Sequence, residues 1–331
     1  MVKEPNTWAL VLAAGEGSRL RSLTTPPSGA SVPKQFCSLY GGPALLHEAL
    51  LRAQSVTVGA RTCVVVAKQH RCWWEGALRS LPAQNVVVQP ANRGTAVGIL
   101  LPLLHILSRD PEAKIALLPS DHHVRREDVL TAALRDALEQ LDWRSRETLL
   151  LGIQPDEPDP ELGYIVPGAS DGRGALTVVR FVEKPSQSAA RELIDAGGLW
   201  NAFIVVSSGP ALLELFRKRI PGVVTAMIAA LERDRFARSP GPATIELYET
   251  LPVIDFSRDI VAGQEAHLRV LAVRPCGWSD LGTPKRVSEA LRRTPRPDAT
   301  RWAVSGQGYL SLAEQAERLR GVVTDQLRRA P

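Results

Sequence analysis

Strand-length apolar runs alternate with helical patterns through the first half of the chain. The apolar runs cover residues 8–13, 62–67, 85–89, 114–119 and 148–153. The helical patterns, with apolar residues at three- to four-residue spacing, cover residues 44–55, 69–80, 95–108 and 126–141. This alternation predicts an α/β fold with a doubly wound, mostly parallel sheet. Ligands of such sheets bind outside the carboxyl ends of the strands.

The alternation loosens in the second half of the chain, after an extended proline-rich connection that begins at residue 155. Shorter strand patterns follow at residues 163–166, 176–183 and 199–206. Helical patterns follow at residues 186–196 and 211–219. We interpret this half as an inserted layer that faces the substrate.

A glycine-rich loop follows the first apolar run. Trp8–Ala13 suits a buried central strand, and Gly15 and Gly17 then allow a sharp turn that presents backbone N–H groups to an anion. Arg19 and Lys34 add positive charge suited to phosphate contact. The loop lacks the third glycine of a dinucleotide fingerprint and the Gly-Lys-Ser/Thr end of a P-loop. It predicts a nucleoside triphosphate cradle, and a plain turn is the alternative interpretation.

Charge and composition narrow the class of partner. The net charge of +5 suits anionic partners, but it is spread along the chain without a basic run, so we do not expect nucleic acid as a partner. The polar N-terminus and the short apolar run after it predict neither a signal peptide nor a membrane span. Cys37, Cys63, Cys72 and Cys276 show no C-x-x-C spacing and predict reduced thiols. We therefore expect a cytoplasmic protein.

The segment Leu12–Leu20, followed by Pro33-Lys34-Gln35, resembles the signature of the sugar-phosphate nucleotidyltransferases, in which a G-x-G-x-R-L loop precedes a P-K segment. The P-K-Q-F run is similar to the mannose-1-phosphate guanylyltransferase branch of that family. Six further matches follow in the family's order, at residues 89–96, 118–122, 163–165, 181–185, 199–203 and 278–282. The resemblance covers roughly residues 7 to 285. It implies a Rossmann-like fold of the nucleotide-diphospho-sugar transferase type and transfer of GMP from GTP to mannose 1-phosphate.

The resemblance also implies roles for individual residues. The catalytic residues would be Arg19, Lys34, Asp121 and Asp280, and the last two would also hold Mg²⁺ as the cofactor. The nucleotide-binding residues would be Ala14, Gly15, Gly17, Ser18, Gln89, Arg93 and Thr95. The residues that bind the sugar phosphate would be Gly163, Tyr164, Glu183, Lys184, Asn201 and Asp255.

The two aspartates also suit a metal by their chemistry. Asp121 directly follows the apolar end of a predicted strand, and Asp280 follows Trp278. Mg²⁺ prefers carboxylate oxygens, with substrate phosphates and waters completing its shell. We expect both aspartates to meet at one ion, although a loop aspartate such as Asp121 also suits a helix cap or a turn. Adjacent His122 and His123 would face opposite sides of an extended segment, so they do not predict a metal site.

Ordinary structural roles stay open for several residues of the predicted sugar site. Glu183 and Lys184 also suit a solvated strand end, and Asn201 suits a turn or an edge strand. Tyr164 suits core packing, and Asp255 suits a helix cap.

Two features depart from the family pattern. The family's R-N-T-A run appears as Arg93-Gly94-Thr95-Ala96, with glycine in place of asparagine, which leaves the base preference open. Residues 21–32 form a longer segment rich in threonine, proline and serine, which we interpret as a mobile flap over the triphosphate.

We divide the chain into a catalytic domain at residues 1–290 and a segment at residues 291–331. The second comprises a linker at residues 294–300 and an amphipathic helix at residues 310–327. One activity is expected, without the isomerase-type β-barrel domain of longer bifunctional relatives. The expected partners are GTP and a sugar 1-phosphate, and a homodimer is left open.

Three alternatives to the mannose-1-phosphate guanylyltransferase function remain. The first is another NDP-sugar pyrophosphorylase with a different base or hexose 1-phosphate. The second is a glycosyltransferase, which would typically carry an Asp-x-Asp motif that this sequence lacks. The third is a non-catalytic regulator that binds a nucleotide sugar.

Overall fold

The computed structural model describes residues 6–26, 29–140, 146–170, 172, 174–237, 239–294 and 310–317. The strands are β1 (Thr7–Ala13), β2 (Thr62–Ala67), β3 (Val86–Gln89), β4 (Lys114–Pro119), β5 (His123–Val124), β6 (Thr148–Ile153), β7 (Tyr164–Ser170), β8 (Leu176–Val182), β9 (Leu199–Ser208), β10 (Leu268–Val273) and β11 (Trp278–Ser279). The helices are α1 (Arg21–Thr24), α2 (Leu45–Gln54), α3 (Arg71–Ala77), α4 (Gly94–Leu107), α5 (Glu127–Gln140), α6 (Gln187–Asp195), α7 (Gly209–Arg219), α8 (Pro221–Arg233), α9 (Pro242–Thr250) and α10 (Pro284–Arg293). A π-helix spans Phe256–Val261.

In the described part of the chain, nine strands form one sheet in the order β3-β2-β1-β4-β9-β6-β10-β8-β7. The first four of these run parallel to one another, as do β6 and β10. β9 lies antiparallel between β4 and β6, and β8 lies antiparallel to both β10 and β7. The α/β class is confirmed, but the sheet is mixed, and the prediction of a mostly parallel sheet holds only for its first half. β7 and β8 are joined by residues 171–175 alone, whereas parallel neighbours need a crossover of a dozen residues or more.

Helices cover both faces of this sheet because the central strands are apolar on both sides. Along β1, Ala9 and Val11 belong to the core on one face, where α2 and α5 pack. Leu10 belongs to the core on the other face, where α4, α7 and α8 pack. Side chains of a strand alternate between faces, so a continuous apolar run builds two cores at once.

The predicted elements of the first half agree closely with the structure, except that α3 is shorter than the predicted helix at residues 69–80. The three strands and two helices predicted in the second half are also present. Helices α8 and α9 were not predicted. The predicted domain boundary at residue 290 falls inside α10.

The predicted C-terminal features lie only partly within the described residues. Within the predicted helix at residues 310–327, residues 312–317 are helical and residues 318–327 lie outside the described part of the chain. Most of the predicted linker also lies outside it. None of the described helices is both long and apolar enough to cross a membrane. All four cysteines, which lie in the described residues, are free thiols.

A separate two-stranded ribbon lies at the carboxyl edge of the large sheet. In this ribbon β5 pairs antiparallel with β11, with Trp278 opposite Val124 and Ser279 opposite His123. Asp121 precedes β5 and Asp280 directly follows β11. The ribbon therefore brings together two aspartates that lie far apart in the sequence.

Candidate active site

The glycine loop leaves β1 and turns at Gly17, whose φ is +62°. Gln35 ties this loop to the turn that contains Lys34. Its Nε2 donates to the carbonyl of Ala13 at 3.1 Å and to the carbonyl of Gly15 at 3.0 Å. These bonds hold the loop and the lysine turn against each other.

Lys34 lies buried at the centre of the site, with 4% of the residue exposed. Its Nζ lies 2.9 Å from Oδ2 of Asp121. The same Nζ donates to the backbone carbonyl of Asp280 at 2.6 Å. A buried ammonium is costly unless it is paired and hydrogen-bonded, and these two oxygens meet that requirement. Lys34 thus joins three segments that are remote in sequence.

Asp121 is held as a carboxylate by its surroundings. Burial alone would raise the pKa of Asp121, but the nearby positive charge of Lys34 is the main opposing effect, and the pKa lies below its ordinary value. His122 lies beside it, with Nε2 3.7 Å from Oδ1 of Asp121. Burial lowers the pKa of His122 to about 4, so this imidazole is neutral near pH 7.

The two adjacent histidines face different neighbours, as predicted. Nδ1 of His122 accepts a hydrogen bond from Nε1 of Trp278 at 3.2 Å. His123 instead places its Nε2 3.1 Å from Oγ1 of Thr294. Within the described residues, no group of three or more His, Cys, Asp and Glu side chains is arranged to hold a metal.

Asp280 carries an unsatisfied carboxylate oxygen. The residue is 6% exposed, and its buried Oδ1 has no hydrogen-bond partner among the described residues. Two cations lie nearby. Nε of Arg286 forms an ion pair with this oxygen at 3.5 Å but no hydrogen bond, and Nη2 of Arg19 lies 3.8 Å from the other oxygen, Oδ2. A buried acceptor without a donor costs about 1–3 kcal/mol, and more when it is charged. This oxygen is therefore suited to a further cation.

Arg19 occupies the short 3-10 turn Ser18–Leu20 that follows the glycine loop. Its side chain is 47% exposed, and its Nη1 lies 3.2 Å from Oε2 of Glu161. An exposed ion pair of this kind is weak, so Arg19 is free to exchange Glu161 for a phosphate.

Two charged residues near Asp280 were missed by the sequence analysis. Arg286 donates from Nε to Oδ2 of Asp159 at 2.8 Å, and its guanidinium lies 4.7 Å from the centre of the Trp200 ring. Asp159 lies shortly before the Gly163-Tyr164-Ile165 match, and Arg286 lies one helical turn after the match that ends at Gly282. This closeness to the matched motifs is the feature of the sequence from which both residues could have been predicted to lie at the site.

Gln89, at the end of β3, and Arg93, just before α4, are both predicted to bind the nucleotide, but their surroundings differ. Gln89 is buried, and its Oε1 has no hydrogen-bond partner among the described residues, which leaves an acceptor available. Arg93 is instead occupied at the end of α9, where it donates to the carbonyls of Tyr248 at 2.6 Å and Glu249 at 3.1 Å. In this structure Arg93 therefore holds α9 in place.

Thr95 and Asp255 form one hydrogen-bonded group. Oγ1 of Thr95 donates to Oδ2 of Asp255 at 3.3 Å and accepts the N–H of Phe256 at 2.7 Å. Asp255 also caps the π-helix, because its Oδ1 accepts the N–H of Arg258 at 2.9 Å. The helix cap considered as an alternative for Asp255 is thus present.

Most residues of the predicted sugar site lie close together. The N–H of Asn201 donates to the carbonyl of Gly163 at 2.8 Å, and its Nδ2 donates to Oγ of Ser257 at 3.4 Å. A Cβ at position 163 would lie 2.5 Å from Oε2 of Glu183, so a side chain there would displace this carboxylate. Burial, together with the negative charge of Asp255, raises the pKa of Glu183 to about 7.

Tyr164 and Lys184 lie apart from this cluster of sugar-site residues, one in the core and the other on the surface. The side chain of Tyr164 is buried in the core, and its hydroxyl donates to the carbonyl of Asp159 at 3.1 Å. Tyr164 therefore packs in the core, as its alternative interpretation allowed. Lys184 is exposed and has φ of +49°, a backbone conformation that is uncommon outside glycine.

The segment predicted as a flap is anchored at both ends. The N–H of Val32 donates to the carbonyl of Thr24 at 2.8 Å, and Leu23 and Val32 are both buried in the core. Residues 27 and 28 lie outside the described part of the chain. The base of the segment at residues 21–32 is thus a closed loop beside the glycine loop.

Comparison with known proteins identifies the family. A model of the nucleotidyl transferase family matches residues 8–296, and the chain belongs to this family. The xanthan biosynthesis protein XanB of Xanthomonas campestris pv. campestris (strain B100) is 30% identical over 290 residues, which cover 83% of this chain and 57% of that protein. A mannose-1-phosphate guanylyltransferase of Escherichia coli (strain K12) is 29% identical over 287 residues, covering 83% and 58%. The chain thus spans little more than half the length of these curated relatives.

Solved structures agree with this assignment. A Thermus thermophilus protein described as a mannose-1-phosphate geranyltransferase superposes with a TM-score of 0.74 at 28% identity, covering 88% of this chain and 81% of that one. Members of the family use a nucleoside triphosphate and a sugar phosphate as substrates.

Restoring the family's usual asparagine at position 94 should destabilise this chain. Gly94 has φ of +85°, and a Cβ there would lie 2.2 Å from the carbonyl oxygen of Ile254. Gly41 has a similar φ of +86° but open space around it, so Gly41→Asn is a matched control. We expect Gly94→Asn to lower the free energy of unfolding by about 1–3 kcal/mol more than the control does. Equal losses in urea denaturation would contradict the close approach.

Glu183→Gln should stabilise the protein at high pH only. Glutamate has an ordinary pKa of 4.5 here, and the folded chain raises it to about 7, so the folded state binds the proton more tightly. Stability is then lost as the pH rises from about 4.5 through 7. We expect Glu183→Gln to exceed the wild type by about 1–3 kcal/mol at pH 8 and to show no such advantage below pH 4.5.

The control for this titration is Glu75→Gln, which removes an exposed carboxylate 2.7 Å from Arg71. Glu75→Gln should show no gain that grows with pH. Thermal unfolding of both variants between about pH 4 and pH 8 checks the prediction. A difference between Glu183→Gln and the wild type that stays constant over this range would show that Glu183 does not titrate as described.

Proposed function

We propose that this chain transfers GMP from GTP to mannose 1-phosphate and releases GDP-mannose and pyrophosphate. The observation that carries the proposal is the contact of the buried Lys34 ammonium with both Asp121 and the backbone of Asp280, beside a glycine loop at the carboxyl ends of the strands. The names of relatives at 28–30% identity support the choice of substrates.

The chemistry requires positioning and charge neutralisation more than a protein nucleophile. A phosphate oxygen of mannose 1-phosphate attacks the α-phosphorus of GTP in line. The bond from that phosphorus to the bridging oxygen of the departing pyrophosphate breaks, and the released oxygen takes up the negative charge. Lys34 and Arg19 lie beside the glycine loop, and we assign them to offset the charge on the triphosphate.

Asp121 and Asp280 fit a Mg²⁺ ion by their chemistry and surroundings. Both present carboxylate oxygens, and Oδ1 of Asp280 is buried without a hydrogen-bond donor among the described residues. Two protein carboxylates, with substrate phosphates and waters, suit the coordination that Mg²⁺ prefers. When bound, the ion would supply positive charge to the phosphate oxygens. Lys34 keeps Asp121 ionised and so keeps it able to act as a ligand.

Different residues are assigned to the sugar, to the sugar phosphate and to the base. We assign Asn201, Glu183 and the backbone of Gly163 to the sugar hydroxyls, because they cluster where β9 passes the start of β7 and the end of β8. Lys184 is assigned to the sugar phosphate. For the base, the free Oε1 of Gln89 offers an acceptor suited to the amino and imino N–H groups of guanine.

A measurement of substrate specificity distinguishes the proposed function from the alternative functions. Purified protein would be incubated with each of the four nucleoside triphosphates and several hexose 1-phosphates, with Mg²⁺ and a pyrophosphate readout. We expect the highest kcat/KM for GTP with mannose 1-phosphate. Lys34→Ala is the control for contaminating activity and should lose about 10²- to 10³-fold in rate.

Each of the other outcomes of this assay would indicate a different function for the chain. A higher kcat/KM with another pair of substrates would identify another NDP-sugar pyrophosphorylase. Tight binding of GDP-mannose without turnover of any pair would identify a non-catalytic regulator. Sugar transfer from a nucleotide sugar to an acceptor would identify a glycosyltransferase.

Asp121→Asn and Asp280→Asn should each abolish most of the activity and raise the Mg²⁺ concentration that is required. Because both are assigned to one ion, the double variant should lose little more than the worse single variant. Asp156→Asn, which removes an exposed partner of Arg293, is the control and should keep wild-type activity. Additive losses, or activity that survives a chelator, would contradict a shared metal.

A further inference from the structure

Residues 310–317, here named the C-terminal segment, lie outside the family match at residues 8–296 and yet pair with the chain just after Lys34. The N–H of Ser38 donates to the carbonyl of Leu310 at 2.9 Å. The N–H of Leu312 donates back to the carbonyl of Ser38 at 2.9 Å, so that Ser38 and Ser311 form a parallel bridge. A further backbone bond runs from the N–H of Ala313 to the carbonyl of residue 39 at 3.0 Å.

The C-terminal segment is built into the core. Leu312 is 0% exposed and belongs to the same core as Phe36 and Leu39. Ser311 is 2% exposed, and its Oγ caps the helical residues 312–317 by accepting the N–H of Glu314 at 3.3 Å. A buried leucine and a capped helix start are features of a fixed element.

These contacts act on the segment that carries Lys34. The N–H of Cys37 donates to the carbonyl of Lys34 at 2.9 Å and closes the 3-10 turn Lys34–Phe36. The carbonyl of Cys37 accepts the N–H of Leu45, where α2 begins. The next residue, Ser38, receives the C-terminal segment. The lysine turn is therefore held by α2 on one side and by the C-terminal segment on the other.

We infer that the C-terminal segment is a positioning element for Lys34. It fixes the backbone of the lysine turn at the place from which Nζ reaches both Asp121 and the carbonyl of Asp280. Small displacements of a group that acts on the reacting phosphates reduce the rate strongly. The inference rests on the proposed function for its kinetic consequence, whereas its structural basis is independent of the substrate.

The kinetic test compares two leucine-to-alanine changes. Leu312→Ala removes the side chain that seats the C-terminal segment. Leu231→Ala, in α8, is the matched control, because Leu231 is 1% exposed in the core on the other face of the sheet. At a temperature well below both unfolding transitions, we expect Leu312→Ala to lower kcat about 10-fold with little change in KM. Leu231→Ala should keep its kcat within about twofold of the wild type. Equal effects of the two changes would overturn the inference.

A double-mutant cycle asks whether the effect passes through Lys34. In a Lys34→Ala background, Leu312→Ala should cause no further loss of kcat, because the group that it positions is absent. The same loss in both backgrounds would show that the C-terminal segment supports the fold in general. If Leu312→Ala does not fold, Leu312→Val replaces it and should give a smaller loss of the same kind.

A third measurement needs no catalysis. Hydrogen exchange at the amides of Cys37 and Ser38, which donate to the carbonyls of Lys34 and Leu310, should be faster in Leu312→Ala than in Leu231→Ala. Unchanged exchange at these amides would overturn the inference by itself. If the wild type transfers no nucleotide while exchange responds as expected, the proposed function fails and the positioning of the lysine turn stands.

Discussion

The site depends on one buried cation. Lys34 has given up its contact with water, so it needs the carboxylate of Asp121 and the carbonyl of Asp280, and these two groups are otherwise unrelated in the sequence. The same contact keeps Asp121 ionised against its burial. One buried ammonium therefore joins a strand end to the ribbon, through an ion pair and a hydrogen bond, and favours the ionised state of the Asp121 carboxylate.

The mixed sheet explains how the two groups of proposed substrate-binding residues come to lie in one sheet. The parallel half supplies the glycine loop and Gln89 at its carboxyl edge, as expected for a nucleotide site. β9 runs the other way between β4 and β6, and it carries Asn201 into contact with the loop of Gly163. The reversal of one strand thus places the groups assigned to the sugar beside the nucleotide half, within the same sheet.

Local patterns in the sequence were sufficient for the first half of the fold, because each strand there is a continuous apolar run and each helix follows it at once. Periodicity carries no information on strand order, so the insertion of β9 and the mixed sheet were not predictable. Motif matches predicted that Asp121 and Asp280 would lie close together, as they do. They did not predict the Asp159–Arg286 pair or the C-terminal segment, whose partners are set by packing between remote parts of the chain.

The ribbon of β5 and β11 has a consequence for divergence within the family. It is separate from the nine-stranded sheet, and its pairing fixes how far Asp121 stands from Asp280. Gly94 lies outside this ribbon, in its close approach to Ile254. The strand that carries Asn201, in contrast, touches the ribbon, because the ring centres of Trp200 and Trp278 lie 6.3 Å apart. Substitutions around Gly94 can therefore alter the end of the site proposed for the base without changing the β5–β11 pairing that holds the two carboxylates in register.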